Sequence, residues 1–215
     1  MSSSFALLVP VKSLARAKTR LDPHHRREPL MRAFALDALE AAAASPLVAH
    51  VYVVTDEAGL DEHATRLPDE GAGDLNEALR AAERRVRALD PATGVAALCA
   101  DLPALVTADL TTALTEALTS LGGAPAPRRF VADAAGTGTT LLVAPPGSGL
   151  GPRFGVGSAR LHEASGAVPV LAPVPTLRAD VDTDVDLGRA RVLGLGPHSR
   201  LADAASAYDA PATCR

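Results

Sequence analysis

The fold is decided by FALLVPV (residues 5–11), an apolar run of strand length that is followed directly by a charged loop. Further apolar runs of strand length are HVYVV, VAALCA, RFVA and TLLVA, which start at residues 50, 95, 129 and 140. Between the first three runs lie segments with apolar residues at helical spacing, such as Leu75 and Leu79 after the candidate cap Asp74. A further helix is predicted to start after the candidate cap Thr107. Strands that alternate with amphipathic helices predict a single α/β domain with a mainly parallel sheet flanked by helices.

The alternation is interrupted by the Gly- and Pro-rich segment GGAPAP (residues 122–127). RFVA and TLLVA follow it and are joined by DAAGTGT, which predicts a hairpin. We expect this hairpin and the Gly-rich loop after it to form a small lobe for a second substrate. We assign residues 1–200 to one domain and residues 201–215, which are Ala-rich without a clear apolar face, to a C-terminal tail.

Composition and charge narrow the classes of function. The net charge of −4 at pH 7 argues against nucleic acid as the main ligand, because nucleic-acid-binding domains carry a basic face. No apolar run approaches the ~18 residues of a membrane-spanning helix, and no basic segment precedes the first apolar stretch. We therefore expect a cytoplasmic protein. Cys99 and Cys214 lack metal-binding spacing and are interpreted as core filler and a free thiol.

A cluster of cations follows the first predicted strand. Lys12, Arg16, Lys18 and Arg20 lie within nine residues, and the two lysines are the only ones in the chain. A triphosphate needs several such donors, so we predict that this loop binds nucleotide phosphates. A solvated basic surface loop is the alternative. No GxxxxGK[ST] or GxGxxG motif follows the strand, which argues against a P-loop protein and against a dinucleotide fold.

Acidic residues follow other predicted strands. Asp101 comes directly after VAALCA, at the carboxyl end of a strand, where ligands of open parallel sheets bind. Carboxylates suit Mg²⁺, which binds one or two of them together with substrate phosphates. The alternative for Asp101 is a turn or cap aspartate. Later in the chain an alternating acidic run offers one or two further metal ligands at most, from Asp180, Asp182, Asp184 and Asp186.

Two Gly-rich stretches carry hydroxyl groups. They are AGTGTT (residues 135–140) and GPRFGVGS (residues 151–158), whose backbone N–H groups are suited to converge on an anion. Ser158 is predicted to open a helix, and helix N-termini attract phosphate or carboxylate. Arg153, Arg160 and His162 are interpreted as further cations nearby. The alternative is that the glycines serve backbone geometry alone.

Seven segments, taken in order, form a specific combination: LVPVKSLARAKTRL, VVTDE, DLNEAL, ADLPAL, FVADAAGTGTTLLVA, RFGVGSARLHEASGA and RADVDTDVDL. Together they resemble the phosphoenolpyruvate / 2-phospho-L-lactate guanylyltransferase family of deazaflavin coenzyme F-420 biosynthesis. The resemblance implies a fold like that of the molybdenum-cofactor and sugar-phosphate nucleotidyltransferases, with GTP as substrate and Mg²⁺ as cofactor. It covers residues 5–195.

The resemblance also implies roles for individual residues. Thr139, Gly155 and Ser158 match the positions that hold the carboxylated phospho-substrate, with Thr140 as the alternative to Thr139. The metal-binding acids of the family match Asp101 and Asp182. We expect these two acids to be catalytic together with Lys12 and Lys18. The nucleotide-binding residues that we expect are Lys12, Lys18, Arg20, Asp56 and Asn76, of which Lys12 and Lys18 are also expected to be catalytic.

The implied reaction transfers GMP from GTP to phosphoenolpyruvate, giving enolpyruvoyl-2-diphospho-5'-guanosine and diphosphate. The alternatives are 2-phospho-L-lactate as acceptor, or a sugar phosphate or molybdopterin on the same fold. A non-catalytic nucleotide-binding regulator is the alternative from another class. The expected partners are these small molecules and the next transferase of the pathway, which would receive the product. Nucleic acids and membranes are not expected partners.

Overall fold

A computed structural model of the chain describes residues 4–12, 27–120 and 125–208. This part of the chain contains seven strands and six helices. The strands are β1 (Phe5–Pro10), β2 (Val48–Val54), β3 (Thr65–Leu67), β4 (Gly94–Leu98), β5 (Arg129–Ala132), β6 (Thr139–Ala144) and β7 (Val168–Pro169). The helices are α1 (Arg27–Ala43), α2 (Leu75–Leu89), α3 (Thr107–Ala117), α4 (Ser158–Ala164), α5 (Asp184–Leu193) and α6 (Pro197–Tyr208). A short 3-10 helix covers Pro175–Arg178. Within the described ranges, no helix combines the length and the apolar character that a membrane span requires.

The strands form one sheet in the order β3-β2-β1-β4-β6-β5-β7. β1 lies between β2 and β4 and is parallel to both, whereas β6 is antiparallel to β4 and β5. The predicted hairpin of β5 and β6 therefore joins the main sheet through β6. The prediction of a single α/β domain with a mainly parallel sheet flanked by helices is confirmed.

β1 is buried on both faces, which explains its uninterrupted apolar sequence. Phe5 and Leu7 belong to a core cluster that includes residues of α1 and α3. Ala6 and Leu8 belong to a second cluster, which includes residues of α2. Since successive side chains of a strand point to opposite faces, β1 contributes to both layers between sheet and helices.

Helix starts follow local capping chemistry in some places and tertiary contacts in others. The Asp74 side chain accepts the N–H groups of two residues in the first turn of α2, so the predicted cap is confirmed. Helix α3 begins at Thr107, but its N-cap is Val106. The Thr107 hydroxyl donates to the carbonyl oxygen of Ala41 at 3.0 Å. The prediction of Thr107 as cap is therefore wrong, because its hydroxyl links α3 to α1.

Helix α6 crosses the predicted boundary at residue 200. Its N-terminus is anchored by α1, because the carboxylate of Asp37 accepts the N–H groups of His198 and Ser199 at 3.0 and 2.8 Å. Asp37 is 4% exposed, so this contact lies in the protein interior. A buried carboxylate is stabilised by such N–H donors at a helix start. The predicted boundary thus falls inside a helix that is fixed to the domain.

Candidate active site

Polar residues from several strands meet at one edge of the sheet. Lys12, Asp56 and Asp101 follow the carboxyl ends of β1, β2 and β4, which are parallel neighbours. Because β6 is antiparallel to β4, its first residues lie at the same edge, where the Cys99 N–H donates to the Thr140 carbonyl oxygen at 2.8 Å. Open α/β sheets bind ligands at this edge.

Asp101 and Asp182 are brought close by a backbone contact. The N–H of Val181 donates to the carbonyl oxygen of Asp101 at 3.0 Å, so the residue before Asp182 packs against Asp101. Asp186 has another role, because its carboxylate accepts the hydroxyl and the N–H of Thr183 in the capping box of α5. Of the alternating acids, Asp182 therefore comes directly after the residue that is bonded to Asp101, whereas Asp186 caps a helix.

A cavity of about 210 Å³ opens beside Asp182. The ionisable side chains in its lining are those of Asp133, Asp180, Asp182, Asp186 and Arg189. Carboxylates outnumber the single guanidinium, so the electrostatic environment favours a cation. The cavity lining includes neither Asp101 nor the predicted acceptor residues. The cavity is thus adjacent to the strand edge at Asp182 and is not the whole of the predicted site.

The side chains of Asp101 and Asp182 fit Mg²⁺ by their chemistry, since this ion prefers oxygen ligands and takes one or two carboxylates plus substrate phosphates. Among the described residues, one group of three potential metal ligands lies elsewhere. It consists of Glu40, His63 and His198, whose ligand atoms lie within 4.8 Å of one another. Two imidazoles suit softer metals, so this group does not compete for Mg²⁺.

Lys12 links the end of β1 to the loop before α2. Its ammonium group donates to the carbonyl oxygen of Gly73 at 2.6 Å, and its side chain is exposed. A lysine ammonium has three donors, so two remain for a phosphate after this contact with the described residues. Lys18 and Arg20 lie outside the described residues, and their role in phosphate binding stays a prediction.

Asp56 and Asn76 both make contacts within the protein. Asp56 Oδ1 accepts the N–H of Asp69 at 3.2 Å, and the Asp56 side chain is exposed. Asn76 uses both ends of its amide on one residue: Nδ2 donates to the Phe154 carbonyl oxygen at 3.0 Å, and Oδ1 accepts the Phe154 N–H at 2.7 Å. This pair of bonds favours a role for Asn76 in holding the Gly-rich loop of residues 151–157, instead of the predicted nucleotide binding.

Asn76→Leu is expected to loosen this loop and to raise the KM of the acceptor up to about thirtyfold, because it removes two hydrogen bonds worth ~1 kcal/mol each at similar side-chain volume. The KM of the nucleotide is expected to change less than the KM of the acceptor. Two-substrate steady-state kinetics measure both values, and Arg84→Ala on the exposed face of α2 is the control. A rise in the nucleotide KM alone would support the nucleotide-binding prediction and contradict the role in the loop.

The two candidate acceptor hydroxyls point to different surroundings. Thr140 Oγ1 donates to the carbonyl oxygen of Leu177 at 2.6 Å, and Thr140 is 1% exposed. Thr139 Oγ1 lies 2.9 Å from Nδ1 of His162. Adjacent residues of a strand face opposite sides of the sheet, so the two hydroxyls lie on different sides. The Thr140 hydroxyl is bonded to the 3-10 helix. The structure favours Thr139 over Thr140 as the acceptor hydroxyl.

Gly155 and Ser158 lie at the start of α4 and in the loop before it. Gly155 has φ +127°, and a Cβ there would meet no heavy atom of the described residues within 4 Å. Ser158 is the first helical residue, as predicted, while Gly157 is the N-cap. The N–H groups of Ser158 and Ala159 donate to the carbonyl oxygens of Gly155 and Thr137, both at 3.1 Å. These two donors are therefore used within the protein, and the role of the buried Ser158 hydroxyl in acceptor binding stays a prediction.

His162 is buried between the Gly-rich loop and β6. Its Nε2 accepts the N–H of Arg153 at 2.9 Å, and its Nδ1 lies 2.9 Å from Thr139 Oγ1. Burial, and then the positive charges of Arg128 and Arg153, lower the pKa of His162 from 6.5 to about 4. The ring is therefore neutral at pH 7, and the prediction that His162 is a cation is wrong. No sequence motif indicates that His162 is neutral, because its protonation state depends on burial.

The unfolded chain binds a proton on this histidine near pH 6.5, whereas the folded chain binds it only near pH 4. Between these values the unfolded state carries more protons, so the contribution of His162 to stability is lost as the pH falls through this interval.

The fold is shared with nucleotidyltransferases. The structure is similar to the crystal structure of a putative nucleotide-diphospho-sugar transferase from Desulfovibrio desulfuricans G20, with a TM-score of 0.66, 19% identity, and coverage of 96% of this chain and 97% of that one. It is also similar to 4-diphosphocytidyl-2C-methyl-D-erythritol synthase, with a TM-score of 0.54, 11% identity, and coverage of 89% and 99%. At such identities the likeness shows the fold alone. The protein therefore has the fold of a nucleotide-diphospho-sugar transferase.

The chain belongs to the phosphoenolpyruvate guanylyltransferase family. It is 45% identical over 209 residues to the phosphoenolpyruvate guanylyltransferase of Salinispora arenicola (strain CNS-205), with coverage of 94% of both chains. It is 48% identical over 214 residues to that of Streptomyces scabiei (strain 87.22), with coverage of 93% of this chain and 96% of the relative. No family model matches the chain. The resemblance carried by the seven motifs is confirmed by these relatives.

Proposed function

We propose that the protein transfers a guanylyl group from GTP to phosphoenolpyruvate, giving enolpyruvoyl-2-diphospho-5'-guanosine and diphosphate. The observation that carries this proposal is the identity of 45% and 48%, over 94% and 93% of the chain, to two enzymes of that name. The strand-edge site supports it, because cationic, acidic and hydroxyl side chains all lie where a nucleotide and a small acid would meet.

In the proposed reaction, an oxygen of the acceptor phosphate attacks the α-phosphorus of GTP. A new P–O bond forms as the bond to diphosphate breaks. A phosphate monoester is already largely ionised near neutral pH, since its second pKa is about 6, so no general base is required. The protein therefore contributes positioning and charge neutralisation.

Each group of residues has a part in this proposal. Lys12 and Lys18 offset the negative charge that develops on the leaving diphosphate, and Arg20 and Asp56 bind on the nucleotide side. The acceptor is held by Thr139, Gly155 and Ser158, which sets the direction of attack.

Asp101 and Asp182 are the residues that would hold Mg²⁺ at this site. When bound there, Mg²⁺ would neutralise phosphate charge and restrain the phosphate oxygens. The backbone contact between Asp101 and Val181 supports this pairing, because it fixes one acidic segment against the other independently of any ligand.

We assign the reaction to the cytoplasm and to coenzyme F-420 biosynthesis, with GTP and phosphoenolpyruvate as the small-molecule partners. The next transferase of the pathway would receive the product. Residues 1–200 would form the nucleotidyltransferase domain, and residues 201–208 extend its last helix.

Release of diphosphate by the purified protein tests the function. GTP, ATP and CTP are each combined with Mg²⁺ and with phosphoenolpyruvate, 2-phospho-L-lactate or a sugar 1-phosphate, and the next pathway enzyme traps the product. We expect diphosphate with GTP and phosphoenolpyruvate, and a loss of activity with a chelator. Preference for another acceptor would replace this function by that one. Tight GTP binding without turnover for any acceptor would favour a regulator.

A further inference from the structure

The two partners of the His162 ring fix the position of its proton. A backbone N–H can only donate, so the Arg153 amide, 2.9 Å from Nε2, requires Nε2 to be an unprotonated acceptor. In a neutral ring the proton then lies on Nδ1. Nδ1 lies 2.9 Å from Thr139 Oγ1 and therefore donates to that oxygen. One backbone amide thus selects one tautomer.

This tautomer determines what the Thr139 hydroxyl can do. Its oxygen accepts a hydrogen bond from His162, so its own hydrogen points away from the ring and needs another acceptor. Thr139 is 6% exposed, and in the described part of the chain His162 is the side chain that contacts its hydroxyl. A buried hydroxyl hydrogen without an acceptor is unfavourable. Among the described residues no acceptor for this hydrogen is found, so a ligand oxygen is suited to supply it.

The surroundings of the ring maintain the neutral form. The charged groups that act on it are Arg128, ahead of β5, and Arg153, in the Gly-rich loop, and both oppose protonation. The rings of Phe130 and Phe154 border it, with centroid distances of 6.2 and 5.2 Å. A protonated ring would carry a hydrogen on Nε2, directed at the Arg153 N–H, and this contact would be lost.

The same ring also holds the Gly-rich loop. His162 on α4 accepts the N–H of Arg153, and Asn76 on α2 accepts the N–H of the next residue, Phe154. Two successive amides are thus fixed by side chains from two helices, directly before Gly155. The ring therefore restrains two parts of the predicted acceptor site, the Thr139 hydroxyl and the backbone that leads to Gly155.

We propose that His162 is a positioning residue that fixes the Thr139 hydroxyl as a hydrogen-bond donor to an anionic oxygen of the acceptor. This inference rests on the proposed function, in which the acceptor is a small carboxylated phosphate ester. His162 itself does not transfer a proton. It sets the direction of a donor, which raises affinity for a carboxylate or phosphate oxygen and disfavours a neutral group that can only donate.

Two variants separate the two contacts of the ring. In His162→Gln the amide reaches the position of Nε2 and keeps an acceptor for Arg153, but loses the donor to Thr139. In His162→Asn the amide lies near the position of Nδ1 and keeps that donor. We expect His162→Gln to raise the KM of phosphoenolpyruvate about tenfold, the factor for one lost hydrogen bond to an ionised group, with the KM of GTP nearly unchanged. His162→Asn is expected to restore most of the affinity.

A double-mutant cycle with Thr139→Val tests whether His162 acts through Thr139. Valine keeps the shape of threonine and removes the hydroxyl, so His162→Gln should have little further effect on the KM of phosphoenolpyruvate in that background. Additive effects of the two substitutions, or equal changes in the KM of GTP, would overturn the proposal. Wild-type protein that releases no diphosphate from GTP and phosphoenolpyruvate would instead refute the proposed function.

Nitrogen NMR of the wild-type protein tests the tautomer without reference to activity. The chain has six histidines, so the His162 signals are assigned by their loss in His162→Gln. We expect a ring protonated on Nδ1 and unprotonated on Nε2, unchanged from pH 7 to pH 5. A ring protonated on Nε2, or a cation at pH 7, would contradict the proposal whether or not the protein is a guanylyltransferase.

Discussion

Asp101→Asn is expected to lower kcat about a thousandfold or more while leaving the fold intact. The amide keeps the shape of the carboxylate but loses the negative charge that would hold Mg²⁺, and loss of metal-based charge stabilisation costs several kcal/mol in the transition state. The contact between Asp101 and Val181 uses the backbone carbonyl oxygen, so the substitution does not remove it. Initial rates of diphosphate release at several Mg²⁺ concentrations provide the measurement.

The matched control is Asp61→Asn, which makes the same change from carboxylate to amide at an exposed aspartate in the loop before β3. It is expected to retain wild-type kcat, and both variants are expected to unfold at temperatures close to that of the wild type. Asp182→Asn should resemble Asp101→Asn and should raise the Mg²⁺ concentration needed for half-maximal rate. A folded Asp101→Asn protein with near-normal kcat would rule out the metal role of this residue.

The sequence predicted the centre of the sheet well because β1 and β4 are almost entirely buried, which requires a continuous apolar run in each. The start of α2 could be predicted equally well, because the cap Asp74 accepts the N–H groups of residues two and three positions later in the sequence. The cap of α3 could not be predicted, because the Thr107 hydroxyl contacts Ala41, 66 residues earlier in the chain. Local chemistry can be predicted from sequence, whereas a competing partner that the fold brings close cannot.

The same limit applies to the candidate site. Strand ends identified Asp101 and Lys12, since the residues after parallel strands reach one edge in any such sheet. The hydrogen-bond partner of Asn76 lies 78 residues away in the sequence, so no local pattern indicates this contact. His162 was misinterpreted because a histidine near two arginines looks like part of a cationic patch. In the folded protein, burial and then the positive charges of Arg128 and Arg153 lower the pKa of His162, so the ring is neutral.

Gly155→Val is expected to raise the KM of phosphoenolpyruvate about a hundredfold, more than any other substitution in the predicted acceptor site. With φ +127°, the backbone at Gly155 adopts a conformation that side chains disfavour, and a Cβ would project into space that is open in the protein. In the proposed function this space belongs to the acceptor. The valine would therefore combine backbone strain with a steric block to the ligand.

Strain and block are separated by a matched variant, Gly147→Val. Gly147 has φ +82°, and a Cβ there would likewise have no heavy atom within 4 Å in the part of the chain that the structure describes. It lies in the turn after β6, at the opposite end of that strand from Thr139. Both substitutions are expected to cost about 1–3 kcal/mol in the free energy of unfolding, the cost of a side chain in a sparsely populated backbone conformation. Only Gly155→Val should raise the KM of the acceptor, with the KM of GTP nearly unchanged.

Denaturant unfolding and two-substrate kinetics on both proteins measure the two effects. If the variants lost stability equally and both kept the wild-type acceptor KM, the acceptor would bind away from Gly155, and the cradle of Thr139, Gly155 and Ser158 would have to be abandoned.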